Sequence, residues 1–166
     1  EWLDGFEKLV SENEIILCPP FNILGDLYKR AEELDFILGI QDLSPYSAGS
    51  YTGEISAVNL EGMCVKYAIL GHSERRIHLG ESDILVAKKV DQAVDAGITP
   101  VVCIDEGYIE SQANAIDDSK LGKCIVAYEP ISAIGTGDEM DVEKVLEVAE
   151  RIKKAFGKVK VIYGGS

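Results

Sequence analysis

Six short apolar runs, with starts 21 to 35 residues apart, limit the fold more than anything else in this sequence. They occupy residues 15–18, 36–40, 67–70, 100–104, 124–128 and 159–163. Each is rich in Val and Ile and apolar at alternate positions of both parities, the pattern of a parallel strand covered on both faces. The spacing is that of a strand followed by a crossover helix, and no shorter solenoid repeat underlies it. Helical stripes fill the gaps. Val142, Val145, Leu146, Ala149, Ile152 and Phe156 recur at i, i+3, i+4 and i+7, with Asp141 placed to cap the helix and Gly157 to stop it. Val86, Val90, Ala93 and Val94 form a second stripe closed by Gly97, and residues 22–34 read as a third helix capped by Asn22. The chain is therefore α/β with a parallel sheet, either open or part of a barrel. Its 166 residues are enough for the sizeable core of a single domain.

Charge and cysteine usage narrow the function classes. The net charge of -13, from 16 basic and 29 acidic residues, opposes binding to nucleic acid or to an anionic membrane. No stretch approaches the ~20 apolar residues of a membrane span. Cys18, Cys64, Cys103 and Cys124 show no C-x-x-C pairing, and at least three lie in strand-like runs. That usage points to buried free thiols in a reducing cytoplasm and not to disulfides or zinc. His72 and His78 are too few to suggest a metal site.

In α/β folds chemistry gathers where strands end. After the third run comes "GHSERR", residues 71–76; after the fifth comes Glu129, followed by the small-residue loop "ISAIGTG"; after the sixth comes "GGS", residues 164–166. Glu129 has three readings: part of a helix N-cap region, a surface ion-pair partner, or a base with a movable cover. His72 falls where a helix begins, so the positive end of the dipole favours its neutral form and lets it donate a hydrogen bond. It also reads as a plain cap histidine, with Ser73, Glu74, Arg75 and Arg76 as a first-turn cap and ion-pair cluster. The glycines of "GGS" and "GTG" make either ordinary turns or anion nests of backbone N–H groups. The connection 41–56, "QDLSPYSAGSYTGEIS", has no regular period. Its Tyr46 and Tyr51 suit docking against a second subunit or a mobile surface loop.

"YAILGHSERR", "AYEPISAIGTG" and "VIYGGS" together resemble the signatures of the triosephosphate isomerase family, in the right order and with fitting spacings. The stretch "GIQDLSPYSAGSYTGEIS" is similar to that family's interdigitating loop. The resemblance implies a (β/α)8 TIM barrel, of which about six βα units are present here. It implies a cofactor-free isomerase that interconverts dihydroxyacetone phosphate and glyceraldehyde 3-phosphate through an enediol(ate), with no metal. Residue by residue, Glu129 matches the catalytic base and His72 the electrophile. Ser73 and Glu74 match supports of that histidine, and residues 130–137 match the lid. The N–H groups of Gly135 and Ser166, with the Gly164–Gly165 pair, match the phosphate site. Thr52 matches a residue that reaches into a partner's site, and Glu54 and Arg75 match a supporting ion pair. The base-and-neutral-imidazole scheme belongs to the family and comes with the resemblance. A homo-oligomer, dimer or tetramer, formed through 41–56 is implied as well.

The chain also departs from the family pattern. Nothing matches the family's first strand, with its Asn and Lys, or its last strand, so the resemblance leads one to expect a further strand before Glu1 and more chain after Ser166. The lid opens Pro-Ile-Ser where many members have Pro-Val-Trp, and 106–123 is short. A reading from another class stays open beside the enzyme: a truncated barrel that binds phosphate or partners without turnover.

Overall fold

A computed structural model describes residues 14–34, 36–130 and 141–164. All six expected strands form: β1 (Ile16–Leu17), β2 (Ile37–Ile40), β3 (Tyr67–Leu70), β4 (Thr99–Ile104), β5 (Ile125–Tyr128) and β6 (Lys160–Tyr163). They make one sheet in chain order, and every neighbouring pair is parallel. That order decides between an open sheet and a barrel wall. Right-handed crossovers that always advance in the same direction put every helix on one face. The sheet is the curled arc of a TIM barrel, about six βα units of it.

Parity along the strands divides the two faces. Ala68, Leu70, Val102, Ile104, Val126 and Tyr128 are buried in the main apolar cluster. That cluster also holds Val86, Val90 and Ala93 of α4 (Asp83–Asp95) and Val148, Ile152 and Phe156 of α7 (Val142–Phe156). Cys103 and Ala127, paired across β4 and β5, have the other parity and are buried outside that cluster. Glu129 continues their parity one step past β5, and so belongs to the face away from the helices.

Local signals set most helix boundaries. Asp141 accepts a hydrogen bond from the Glu143 N–H at the start of α7, and Gly157 ends that helix with a φ of 79°. Ser82 caps α4 by accepting from the Leu85 N–H, and Gly97 follows it with a φ of 73°. Two expectations fail. Residues 22–34 do not form one helix: a 3-10 turn (Phe21–Ile23) leads into α1 (Leu24–Tyr28) and then α2 (Ala31–Leu34). Asn22 caps nothing, because it sits inside the turn that Pro20 starts. On α7 the buried face runs through Val148, Ile152 and Phe156, while Val142 and Leu146 stay exposed. The remaining helices are α3 (Ser73–Leu79), α5 (Ile109–Ala115) and α6 (Asp118–Leu121).

The connection 41–56 contains neither helix nor strand, yet its ends are fixed. Ser44 donates its N–H to the Ile55 carbonyl at 2.9 Å, and Leu43, Ser44 and Ser56 are buried. Tyr46 and Tyr51 stack with centroids 4.2 Å apart. All four cysteines are free: Cys103 and Cys124 are buried and Cys18 half-buried. Cys64 is exposed in the turn before β3, with a φ of 52°, and so departs from the expected buried thiols. No helix among the described residues is long and apolar enough to cross a membrane.

Candidate active site

Parallel register brings two distant motifs to one rim. Leu70 is level with Val102, and Val102 with Val126, so His72 lies two residues and Glu129 three residues beyond a shared level. Their side chains meet there, with His72 Nε2 3.7 Å from Glu129 Oε1. Gly164 joins them through the third strand end, its N–H donating to the Tyr128 carbonyl at 2.8 Å. A Cβ on Gly164 would lie only 2.9 Å from Glu129 Cγ. The glycine is therefore needed for the close approach of backbone to carboxylate.

His72 is the N-cap of α3. Its Nδ1 accepts from the Glu74 N–H at 3.4 Å, while Glu74 Oε2 stands 3.8 Å from the same nitrogen. An accepting Nδ1 carries no hydrogen, so the neutral ring has its hydrogen on Nε2, the nitrogen that faces Glu129. The cap reading of His72 is thus met, and the same bond orients the ring.

Glu129 is held from behind. Its N–H donates to the Ile104 carbonyl at 2.8 Å, and its side chain is 12% exposed. Among the described residues Oε2 is buried without a hydrogen-bond partner of ordinary geometry. The Cys103 thiol is pushed well above its ordinary value, first by burial and then by the negative charge of Glu129, with Arg76 opposing. Behind the pair is a cavity of about 30 Å³ lined by Gly71, Ser73, Arg76, Cys103, Tyr108 and Glu129. That volume has room for a water or two.

The other expected residues are placed as follows. Ser73 lines that cavity, and Glu74 supplies the N–H that orients His72. Thr52 and Glu54 are exposed on the long loop. Within this chain Arg75 does not pair with Glu54. Instead, Nη2 meets Asp42 Oδ2 and Nε meets Glu81 Oε1, each at 2.7 Å. The physical reason is burial: half-buried Asp42 and buried Glu81 beside α3 can order the guanidinium, whereas Glu54 is solvated. Gly135 and most of the lid, together with Gly165 and Ser166, lie outside the described residues.

Three features escaped the sequence reading. Arg76 is a buried structural centre and not one more surface charge, and Cys103 lies against Glu129. Lys89, 2% exposed, binds both oxygens of Asp42 at 2.6 and 2.8 Å and also Glu81. A signal existed for the last: Lys89 falls at i+3 in the apolar stripe that starts at Val86, where an unpaired lysine would not be tolerated.

The family model described as triosephosphate isomerase matches residues 1–166. A triosephosphate isomerase of Mesomycoplasma hyorhinis is 38% identical over 188 residues, covering 100% of this chain and 76% of that protein. One from Idiomarina loihiensis is 35% identical over 185 residues, covering 96% and 73%. One from Endomicrobium trichonymphae is 36% identical over 187 residues, covering 99% and 75%.

Proposed function

The chain belongs to the triosephosphate isomerase family and is an isomerase of that type, and from this premise we propose how its rim carries the reaction. Glu129 removes a proton from the carbon next to the substrate carbonyl. The electron pair moves onto the carbonyl oxygen, which the neutral His72 stabilises by donating from Nε2. The former carbonyl oxygen takes the Nε2 proton, and Nε2 is reprotonated by the neighbouring hydroxyl. The enediol(ate) takes the carbon proton back from Glu129 on the neighbouring carbon, so dihydroxyacetone phosphate and glyceraldehyde 3-phosphate interconvert with no redox partner. One observation carries this reading: Glu129 Oε1 and His72 Nε2 stand 3.7 Å apart on one rim, on motifs 57 residues apart in sequence (129 minus 72).

The cavity behind the pair is too small for a triose phosphate, so substrate binds on the open side of the rim. Residues 130–137 act as the lid there, and the N–H groups of Gly135, Gly164, Gly165 and Ser166 hold the phosphate. Water exclusion by that lid protects the intermediate from losing phosphate. The loop 41–56 carries the contact in a homo-oligomer, dimer or tetramer, placing Thr52 at a neighbour's site and Glu54 opposite Arg75. Its pinned ends and stacked tyrosines support that role. A cytoplasmic location suits the four free thiols.

The test is a coupled assay in both directions with the chain and its Glu129→Gln variant. The amide cannot accept the substrate proton, so turnover should fall by about 10² to 10⁴-fold or more with the fold intact. Near-normal turnover in the variant would remove Glu129 from the role of base. Binding of triose phosphate by the wild type without turnover would favour the non-catalytic phosphate binder.

A further inference from the structure

Arg76 is a buried cation in the wall of the active site, and the reaction scheme does not use it. Its side chain is 3% exposed and every arm of the guanidinium is engaged. Nε donates to the Gly71 carbonyl at 2.7 Å, Nη1 to Asp83 Oδ1 at 2.7 Å, and Nη2 to Gln112 Oε1 at 2.7 Å and the Cys103 carbonyl at 3.4 Å. The plane lies over the Tyr108 ring, 4.3 Å from its centroid. Burying a cation with one carboxylate partner is a costly way to fill space, and an apolar side chain would fill it at least as well.

The contacts show where that cost is directed. Gly71 immediately precedes His72, and its carbonyl is the last on β3's exit. Cys103 immediately precedes Ile104, whose carbonyl holds the Glu129 N–H at 2.8 Å. A single guanidinium thus joins the backbone behind the electrophile to the backbone behind the base. Gly71 is matched to this arrangement. Its φ is 69°, and a Cβ there would lie 2.8 Å from Arg76 Nη2. A lysine could not replace the fork, since its one ammonium cannot serve acceptors spread across a plane.

We propose that Arg76 is a positioning residue for the isomerase reaction, clamping the carboxyl ends of β3 and β4 so that His72 and Glu129 keep their separation. The proposal rests on the isomerase reading given above. It acts through geometry: loosening the clamp frees the Gly71 turn, and with it the Glu74 N–H bond that orients the His72 ring.

The experiment uses the full chain and Arg76→Lys. Turnover per folded molecule should drop by about 10²-fold, as misplacements of about 1 Å do, while KM for triose phosphate stays within about two-fold. The folded fraction is taken from near-ultraviolet circular dichroism. Ring-nitrogen NMR of His72 should show one Nε2–H tautomer in the wild type and a mixture in the variant. Unchanged kcat per folded molecule overturns the proposal, and so does a loss confined to KM. Should Arg76→Lys fail to fold, Asp83→Asn removes one arm's charged partner at the protein edge and should lower kcat in the same sense, by about five-fold. Unaltered kcat in that folded variant overturns the proposal equally. A wild type without turnover would refute the isomerase reading alone, and the His72 spectrum would still decide the role of Arg76.

Discussion

Glu129 depends on an absence. Gly164 leaves open the space a methyl group would fill, and the carboxylate's own stem passes 2.9 Å from where that methyl would be. Gly164→Ala should leave the sheet standing, because the atom in the way is a side-chain carbon that can move. The base would be the group displaced. Turnover is expected to fall by about 10²-fold with the melting temperature nearly unchanged. Kinetics and thermal melts of the same preparation check this, and a variant with wild-type kcat would show that the approach is incidental. At this scale the meeting of Glu129 and His72 on one rim was legible, because both follow strand ends. What Gly164 faces was not, because glycine in a sequence says that a side chain is unwanted without saying what stands opposite. Arg76 was hidden for a related reason: a basic residue inside a charged run looks like its exposed neighbours.

Helix α4 shows how one element can hold two loops. Val86, Val90 and Ala93 bind it to the sheet, while Lys89 on the same side reaches Asp42 at the start of the long loop and Glu81 ahead of the helix. Arg75 of α3 binds the same two carboxylates, so two cations and two anions share one buried cluster. Burial raises the Asp42 carboxyl against the pull of Lys89 and Arg75. Lys89→Met keeps the bulk and removes one cation, leaving carboxylates buried and under-compensated. We expect a loss of about 3–5 kcal/mol in chemical denaturation, with the early part of the loop 41–56 becoming sensitive to protease. A loss below about 1 kcal/mol would mean the cluster is solvated in practice. The six strands were readable since continuous apolar runs have few other uses. The 3-10 turn ahead of α1, by contrast, starts at Pro20, and periodicity does not register it.

Across the whole molecule, burial of thiols gives stability an alkaline limit. Cys18 is raised from 9.0 to about 11 and Cys124 from 9.0 to about 12 by burial, and Cys103 is raised as well. In the unfolded chain these thiols ionise near their ordinary value, so above it the unfolded state holds fewer protons than the folded one. Stability is therefore complete below pH 9.0 and declines as pH climbs toward 11 and 12. Urea midpoints should fall steadily from about pH 9 to about pH 11, and Cys124→Ala should flatten the slope by up to one proton's worth. An unsloped midpoint across that range would mean that the buried thiols do not govern alkaline unfolding.

Strand order bears on how such a chain comes to be folded at all. Among the described residues each strand pairs only with those made just before and just after it, so within this arc no strand waits for a distant partner. A chain leaving the ribosome can lay each new strand against the last as soon as its crossover helix has emerged. Assembly can then be vectorial, with the newest edge of the arc covered in turn by each βα unit as it is synthesised.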